Sequence, residues 1–139
     1  MIQKFFNLEV NTSGQRLYEI TDKTVEWIEK NNFNNGMLNV SIQHTSASLI
    51  VQENADPDVQ KDLLNYFDKL VPMNEKLYIH SSEGKDDMPA HIKSALTNNQ
   101  ISLSIKDSKL ILGTWQGIYL FEHRLKDHKR TIVHHYIGD

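Results

Sequence analysis

Alternation of apolar and polar residues predicts the strands of this chain. The clearest case is "MLNVSIQH", in which Leu38, Val40 and Ile42 fall on one face and polar residues fall on the other. This period of two is typical of a strand with one buried face. Less regular patterns predict further strands at "QKFFNLEV", "SLIVQEN", "KLYIH", "QISLSI", "KLILGTWQGIYLFEHR" and "RTIVHHYIGD".

Three other stretches have helical spacing. In "DPDVQKDLLNYFDKLVP", Asp56 is predicted as the N-cap and Pro57 as the first helical residue. An apolar stripe at helical spacing follows, formed by Val59, Leu63, Phe67 and Leu70. A second helix is predicted to start at Thr21, acting as N-cap, and to end at "NNFNNG". A third is predicted over "MPAHIKSALTNN".

These elements together predict one α+β domain that spans residues 1–139. Strands segregated around about three helices, with short connections, favour a mostly antiparallel β-sheet. The order of elements does not suit the repeated β-α-β units of a nucleotide-binding fold. The fold class expected from the pattern is therefore α+β.

Composition limits the partners and the location of the protein. The formal net charge is −3, whereas nucleic-acid binders usually carry a basic face, so no nucleic-acid partner is expected. The chain has no cysteine, which leaves His, Asp, Glu and Asn as metal ligands. No run approaches the roughly 18 apolar residues of a membrane span, and the N-terminus lacks a secretory pattern. We therefore expect a cytoplasmic protein with no membrane partner.

Seven histidines in a chain without cysteine suggest a metal site. His44, His80 and His91 are the candidate ligands, because each lies at a predicted strand end or in the first turn of a predicted helix. For His44, a place at the edge of the core is an alternative. Spacing alone is a weak signal, because the chain has no His-x-x-x-His pair. The hydroxyl groups of Thr45 and Ser46 follow His44 directly.

The stretch "EGKDDMPAHIKSAL" supports two interpretations. As structure, Asp87 before Met88 and Pro89 is what a helix start needs for capping and for the helix dipole. As chemistry, free N–H groups at a helix start attract phosphate, and Asp86 could hold a magnesium ion that bridges that phosphate. The two are compatible, with Asp87 starting the helix and Asp86 joining His91 in the active site.

The stretch "LGTWQGIYLFEHR" is the second dense patch. Along a strand, Trp115, Tyr119 and Phe121 share one face, and such an aromatic row is usually core or subunit interface. Glu122 and Arg124 share the other face. They either pair with each other across the pleat or serve an anionic substrate.

Three motifs, "HTSASLIVQENADPDVQKDL", "EGKDDMPAHIKSAL" and "LGTWQGIYLFEHR", in this order, closely resemble the YjbQ family, also called the secondary thiamine-phosphate synthase family. The resemblance covers nearly the whole chain. It implies a small α+β protein that assembles as a homotrimer with closely packed sheets, and a secondary thiamine-phosphate synthase activity. The family motifs match this chain at His44, His80, His91, Asp86, Asp87, Asn54, Asp56, Asp58, Thr114, Trp115 and Gln116.

The implied reaction joins a hydroxymethylpyrimidine diphosphate to a thiazole phosphate and releases pyrophosphate. It needs a divalent ion that neutralises the leaving diphosphate, a role that suits Asp86 and Asp87. Trp115 could stack on a heterocycle, and Arg124 could bind phosphate. The candidate catalytic residues are Asp86, Asp87, Glu122 and Arg124. The candidate contacts to a phosphorylated small-molecule substrate are Thr45, Ser46, Asn54, Thr114, Trp115 and Gln116.

The candidate metal ligands, His44, His80 and His91, fit this reaction less well. Magnesium prefers oxygen ligands, whereas three imidazoles favour zinc, so both ions stay open as the cofactor. Two alternatives to the synthase follow. One is a zinc-type metal-dependent hydrolase or lyase, and the other is a non-catalytic trimeric protein that binds a metal or another ligand.

Overall fold

Two antiparallel sheets and three helices make up the structure, a computed structural model that describes residues 1–139. The predicted α+β class, with mostly antiparallel sheet and three helices, is confirmed. The elements in chain order are β1 (Ile2–Ser13), β2 (Arg16–Glu19), α1 (Thr21–Lys30), β3 (Gly36–Ile42), β4 (Ala47–Glu53), α2 (Pro57–Leu70), α3 (Asp87–Leu96), β5 (Gln100–Lys106), β6 (Lys109–Leu110), β7 (Gln116–Glu122) and β8 (Asp127–Gly138).

The main core is built from both sheets. The larger sheet has the strand order β1-β8-β3-β5-β6, the smaller has β2-β7-β4, and every pairing is antiparallel. Leu38, Val40 and Ile132 of the larger sheet share one buried cluster with Leu49 and Leu120 of the smaller sheet. The alternation predicted for β3 is confirmed, because its apolar row is the buried one.

Helix α2 packs on a second apolar cluster of the smaller sheet. Leu63 and Phe67 contact a buried group that includes Tyr119 and Phe121. The rings of Phe67 and Phe121 meet edge to face with centroids 5.5 Å apart. Strand β7 therefore supplies side chains to both clusters, and all of its residues after Gln116 are buried. The aromatic row predicted here belongs to the core at these two positions.

The helix starts agree with the sequence in one case and differ in another. Asp56 caps α2, as predicted, because its carboxylate accepts the Asp58 backbone N–H at 2.9 Å. Thr21 is not the cap of α1 but its first residue, and Ile20 occupies the cap position. The Thr21 hydroxyl donates instead to the Glu19 carboxylate at 2.8 Å. No helix is long and apolar enough to cross a membrane.

Two strand predictions are wrong. The stretch "KLYIH" forms a short 3-10 turn, Glu75–Leu77, followed by irregular chain, because Ile79 is fully exposed and no neighbouring strand pairs with it. The long strand predicted over "KLILGTWQGIYLFEHR" is divided into β6 and β7. A turn separates them, in which the Gly113 backbone N–H donates to the Gln116 side chain at 2.7 Å.

Candidate metal centre

Three side chains converge where the loop before α3 meets the helix. His80 Nε2 lies 2.6 Å from Asp87 Oδ2, and His91 Nε2 lies 3.4 Å from Asp87 Oδ1. Asp87 and His91 are four residues apart on α3, so they share one face of the helix. The Asp87 carboxylate is buried, whereas the His80 side chain is 47% exposed. A buried carboxylate thus lies between two imidazoles that are both partly exposed to solvent.

Arg124, which follows β7, fixes both aspartates of the loop. Its Nε donates to Asp86 Oδ2 at 2.9 Å, and its Nη1 donates to Asp87 Oδ1 at 2.8 Å. Its Nη2 donates to the Glu83 carbonyl at 2.9 Å, and the Leu125 backbone N–H donates to Asp86 Oδ2 at the same distance. All three guanidinium nitrogens are therefore engaged with protein oxygens, so three of the five N–H donors of Arg124 are used within the protein, and its binding of phosphate stays a prediction.

These contacts determine the charge state of Asp86 and Asp87. Burial alone would raise the pKa of Asp87, but the hydrogen bond from His80 and the charge of Arg124 outweigh burial and lower that pKa. Burial is likewise outweighed at Asp86, where the Leu125 backbone N–H and Arg124 lower the pKa. Both acids are therefore ionised at neutral pH, and Asp87 supplies a negative charge to the two histidines.

The structure divides the roles of the two acids differently from the sequence. Helix α3 does begin at Asp87, as predicted, but no side chain caps it. Asp87 is the acid that contacts the histidines. Asp86 forms a hydrogen-bonded ion pair with Arg124 instead. The reason is the helical register, because Asp87 and not Asp86 is four residues before His91.

The hydrogen bond of His91 fixes its tautomer. Its Nδ1 lies 2.9 Å from the Thr45 carbonyl oxygen. Since a carbonyl only accepts, the Nδ1 carries a proton and donates. In the neutral imidazole the Nε2 then carries a lone pair, and it is this atom that faces Asp87 Oδ1.

His44 is the predicted ligand that the structure leaves out of this cluster. The atoms that lie within 4.8 Å of one another belong to His80, Asp87 and His91. The Nε2 of His44 instead accepts the Thr131 backbone N–H at 2.9 Å. Asp87 therefore takes the place in the cluster that was predicted for His44.

Glu122, a predicted catalytic residue, is fully buried in a separate network. It accepts hydrogen bonds from the Thr12 hydroxyl and from Arg130, whose Nε lies 2.7 Å from Glu122 Oε1. Burial alone would raise the pKa of Glu122, but Arg130 and Thr12 outweigh burial and lower it. Its expected pairing with Arg124 involves the Arg124 backbone N–H and not the guanidinium. Glu122 therefore holds strands together and faces no cavity.

The predicted substrate contacts fall in two places. The Thr45 carbonyl binds His91 at the cluster, and Ser46 is buried against Arg130. The other four lie around the start of β7, the end of that strand opposite Arg124, and none of them belongs to the cluster. These four are Asn54, Thr114, Trp115 and Gln116.

The sequence held one signal of this site that the prediction did not use. Asp87 and His91 form an Asp-x-x-x-His pair, which places an oxygen and a nitrogen ligand on one helical face. The fold and this cluster together define a small α+β protein with one candidate cation-binding or acid–base centre.

Comparison with known proteins gives the family. The sequence model described as "UPF0047 protein YjbQ-like" matches residues 6–139. The chain belongs to this family.

Relatives with high coverage support the assignment. A UPF0047 protein of Synechocystis sp. is 46% identical over 132 residues, which are 95% of this chain and 90% of the relative. The UPF0047 protein YjbQ of Escherichia coli O157:H7 is 39% identical over 132 residues, 94% of each chain.

Solved structures agree with the fold. A crystal structure of an uncharacterised YjbQ/UPF0047 family protein from Clostridium acetobutylicum has a TM-score of 0.81 at 33% identity, covering 91% of this chain and 97% of that one. A conserved hypothetical protein from Thermus thermophilus has a TM-score of 0.82 at 32% identity, covering 92% of this chain and 97% of that one.

Proposed function

We propose that this chain is a zinc-type metal-dependent hydrolase or lyase whose ion is held by His80, Asp87 and His91. The proposal rests on one observation, the convergence of the His80, Asp87 and His91 ligand atoms within 4.8 Å of one another, with His91 Nε2 3.4 Å from Asp87 Oδ1. A cation between these two atoms would stabilise the pair, in addition to Arg124 Nη1, which donates to the same Asp87 oxygen at 2.8 Å. A proton would draw the atoms to about 2.7–2.9 Å, whereas two ligands of a tetrahedral zinc ion lie about 3.3 Å apart.

The donor set favours zinc over magnesium. Two imidazoles and one carboxylate are typical of catalytic zinc sites that keep a position for water or substrate, whereas magnesium prefers oxygen ligands. Of the two other acids in the loop, Asp86 is held by Arg124 and by the Leu125 backbone N–H, and the exposed Glu83 is outside the cluster. This geometry supports hydrolase or lyase chemistry more than the synthase reaction, which needs carboxylates free to hold magnesium.

The protein residues around the ion have separate roles in this proposal. A bound zinc ion would polarise a substrate oxygen or lower the pKa of a bound water. Arg124 orients the Asp87 carboxylate, and the Thr45 carbonyl orients the His91 ring. The exposed His80 would give up its hydrogen bond to Asp87 when the ion binds, and its ring proton would move from Nε2 to Nδ1 so that Nε2 could hold the ion.

A metal-free alternative uses the same atoms. The 2.6 Å hydrogen bond between His80 Nε2 and Asp87 Oδ2 orients an imidazole that reaches solvent. Such a pair is the arrangement of a histidine general base and its orienting carboxylate. In this case the activity would survive a chelator.

Elemental analysis and zinc titration test the proposal directly. Purified protein is expected to contain one zinc per chain, and chelated protein is expected to bind zinc again by calorimetry. His91→Ala and Asp87→Asn should lose this binding, whereas His128→Ala, at a histidine outside the cluster, should keep it. Wild-type protein that binds no zinc at neutral pH would overturn the metal proposal.

The synthase reaction has its own assay. Zinc-loaded protein mixed with the pyrimidine diphosphate and the thiazole phosphate is expected to release no pyrophosphate. Pyrophosphate release that Asp87→Asn abolishes would instead favour the thiamine-phosphate synthase that the family resemblance implies.

We also infer that copies of this chain associate through the outer face of the larger sheet, in the trimer that the resemblance implies. Phe5 and Met37 are 65% and 58% exposed on this face, and Ile137 pairs with Met37 across β3 and β8. Exposed apolar side chains gathered on a sheet face are typical of an interface. Met37→Glu is expected to yield monomers by light scattering, whereas Tyr66→Glu, on the outside of α2, should leave the assembly intact.

A further inference from the structure

A cavity of about 250 Å³ lies beside the candidate metal centre. His91 belongs to both, so a molecule in this cavity would lie next to the ion. The lining contains no Asp, Glu, Lys or Arg, and most of its residues have a polar side chain. They are His44, Thr45, His91, Ser94, Ala95 and Asn99.

His44 presents a fixed hydrogen-bond donor there. The Thr131 backbone N–H donates to its Nε2, so this nitrogen carries a lone pair and the proton of the neutral ring is on Nδ1. Burial, with a smaller contribution from the charge of Arg130, lowers the pKa of His44 and keeps the ring neutral. The Nδ1 has no protein hydrogen-bond partner, and it is not among the buried unpartnered atoms. It is therefore a donor open to a ligand.

A second lining residue also lacks a partner. The Ser94 hydroxyl is buried and makes no hydrogen bond within the protein. Buried polar atoms are nearly always paired, so an unpaired one calls for an unseen partner. Ser94 and His44 line the same cavity, which places a second polar side chain beside His44.

We propose that His44 is a substrate-binding residue whose Nδ1–H donates to an oxyanion of a small molecule in this cavity. The inference rests on the proposed function and gives its substrate class, a small phosphate- or carboxylate-bearing compound. An oxyanion matches the site because the lining offers donors without a competing carboxylate, and because an ion on His91 attracts negative charge. His44 then contacts the substrate, while His80, Asp87 and His91 contact the ion.

The test uses the full chain with ¹⁵N-labelled histidine. The His44 ring is expected to show the Nδ1–H tautomer, and its signals should shift when inorganic phosphate or acetate is added. His44→Gln keeps an oxygen that can accept the Thr131 N–H but removes the Nδ1–H. This variant should bind zinc as the wild type does and bind the anion roughly tenfold more weakly. His135→Gln, at a histidine that contacts Gln3 and not His44, is the matched control and should change neither affinity.

The outcomes separate this inference from the proposed function. Loss of zinc binding in His44→Gln would make His44 a ligand and overturn the inference, as would wild-type His44 signals that neither anion shifts. If the wild type binds no zinc but phosphate or acetate still shifts His44, the metal proposal fails and the cavity assignment stands. A response to phosphate alone identifies a phosphate ester as the substrate class, and a response to acetate alone identifies a carboxylate.

Discussion

Lowering the pH from 7 to 5 is expected to destabilise this chain through His123 and His134. Both side chains are almost completely buried. Burial lowers the pKa of His123 to about 3 and the pKa of His134 to about 4, whereas an unfolded histidine has a pKa of about 6.5. Below pH 6.5 the unfolded chain binds a proton at each site and the native chain does not, so the free energy of unfolding falls with pH.

The expected loss follows from this difference. Between pH 7 and pH 5, each histidine should cost about 2 kcal/mol, or about 4 kcal/mol for the pair. The acids Asp86, Asp87 and Glu122 have lowered pKa values. Their stabilising effect is present above the unfolded pKa of about 4 and is lost only below it. They therefore contribute little to the change between pH 7 and pH 5.

Urea unfolding at the two pH values, at one protein concentration, measures the loss. In the native chain the Thr24 hydroxyl donates to the Ile20 carbonyl and so accepts from His134 Nε2–H at 2.8 Å. His134→Gln can keep this N–H donor without the titration, and should reduce the loss by about 2 kcal/mol. His135→Gln, at the next residue on the other face of β8, should leave it unchanged. Equal stability at both pH values, or an undiminished loss in His134→Gln, would refute the reasoning.

Four substitutions test the packing and one helix cap by urea unfolding at pH 7. Leu49→Ala, in the centre of the main core, should cost about 2–5 kcal/mol, and a smaller loss would mean that the core closes around the gap. Asp56→Ala should cost about 1 kcal/mol by removing the cap of α2, and an unchanged stability would contradict that role. In Gly36→Ala the new methyl group meets the Ile137 carbonyl oxygen, so a loss of about 1–3 kcal/mol is expected. Gly117→Ala meets mainly the flexible Glu19 carboxylate and should cost less than Gly36→Ala.

The elements that the sequence predicted well are those with local causes. β3 shows its alternation because one side of the strand is buried along its length, and the cap of α2 involves residues two positions apart. The stretch "KLYIH" alternates as well, but alternation needs a neighbouring strand to become a sheet, and none is present there. β2 was missed because four residues are too few to show a period.

The site was only partly predictable for a similar reason. His80 and His91 were found because they flank one motif. Arg124 is tied to its two aspartates across 37 and 38 residues, and Thr131 lies 87 residues from His44. Contacts at such separations follow from strand order, which the pattern of residue types does not specify.

Arg124 also links the loop before α3 to the smaller sheet. Its guanidinium connects Glu83, Asp86 and the first residue of α3 to the chain that follows β7, so the loop can move away only if these hydrogen bonds break. The Leu125 amide is protected only while Asp86 stays in place. The rate of hydrogen exchange at the Leu125 amide therefore reports how often the centre opens.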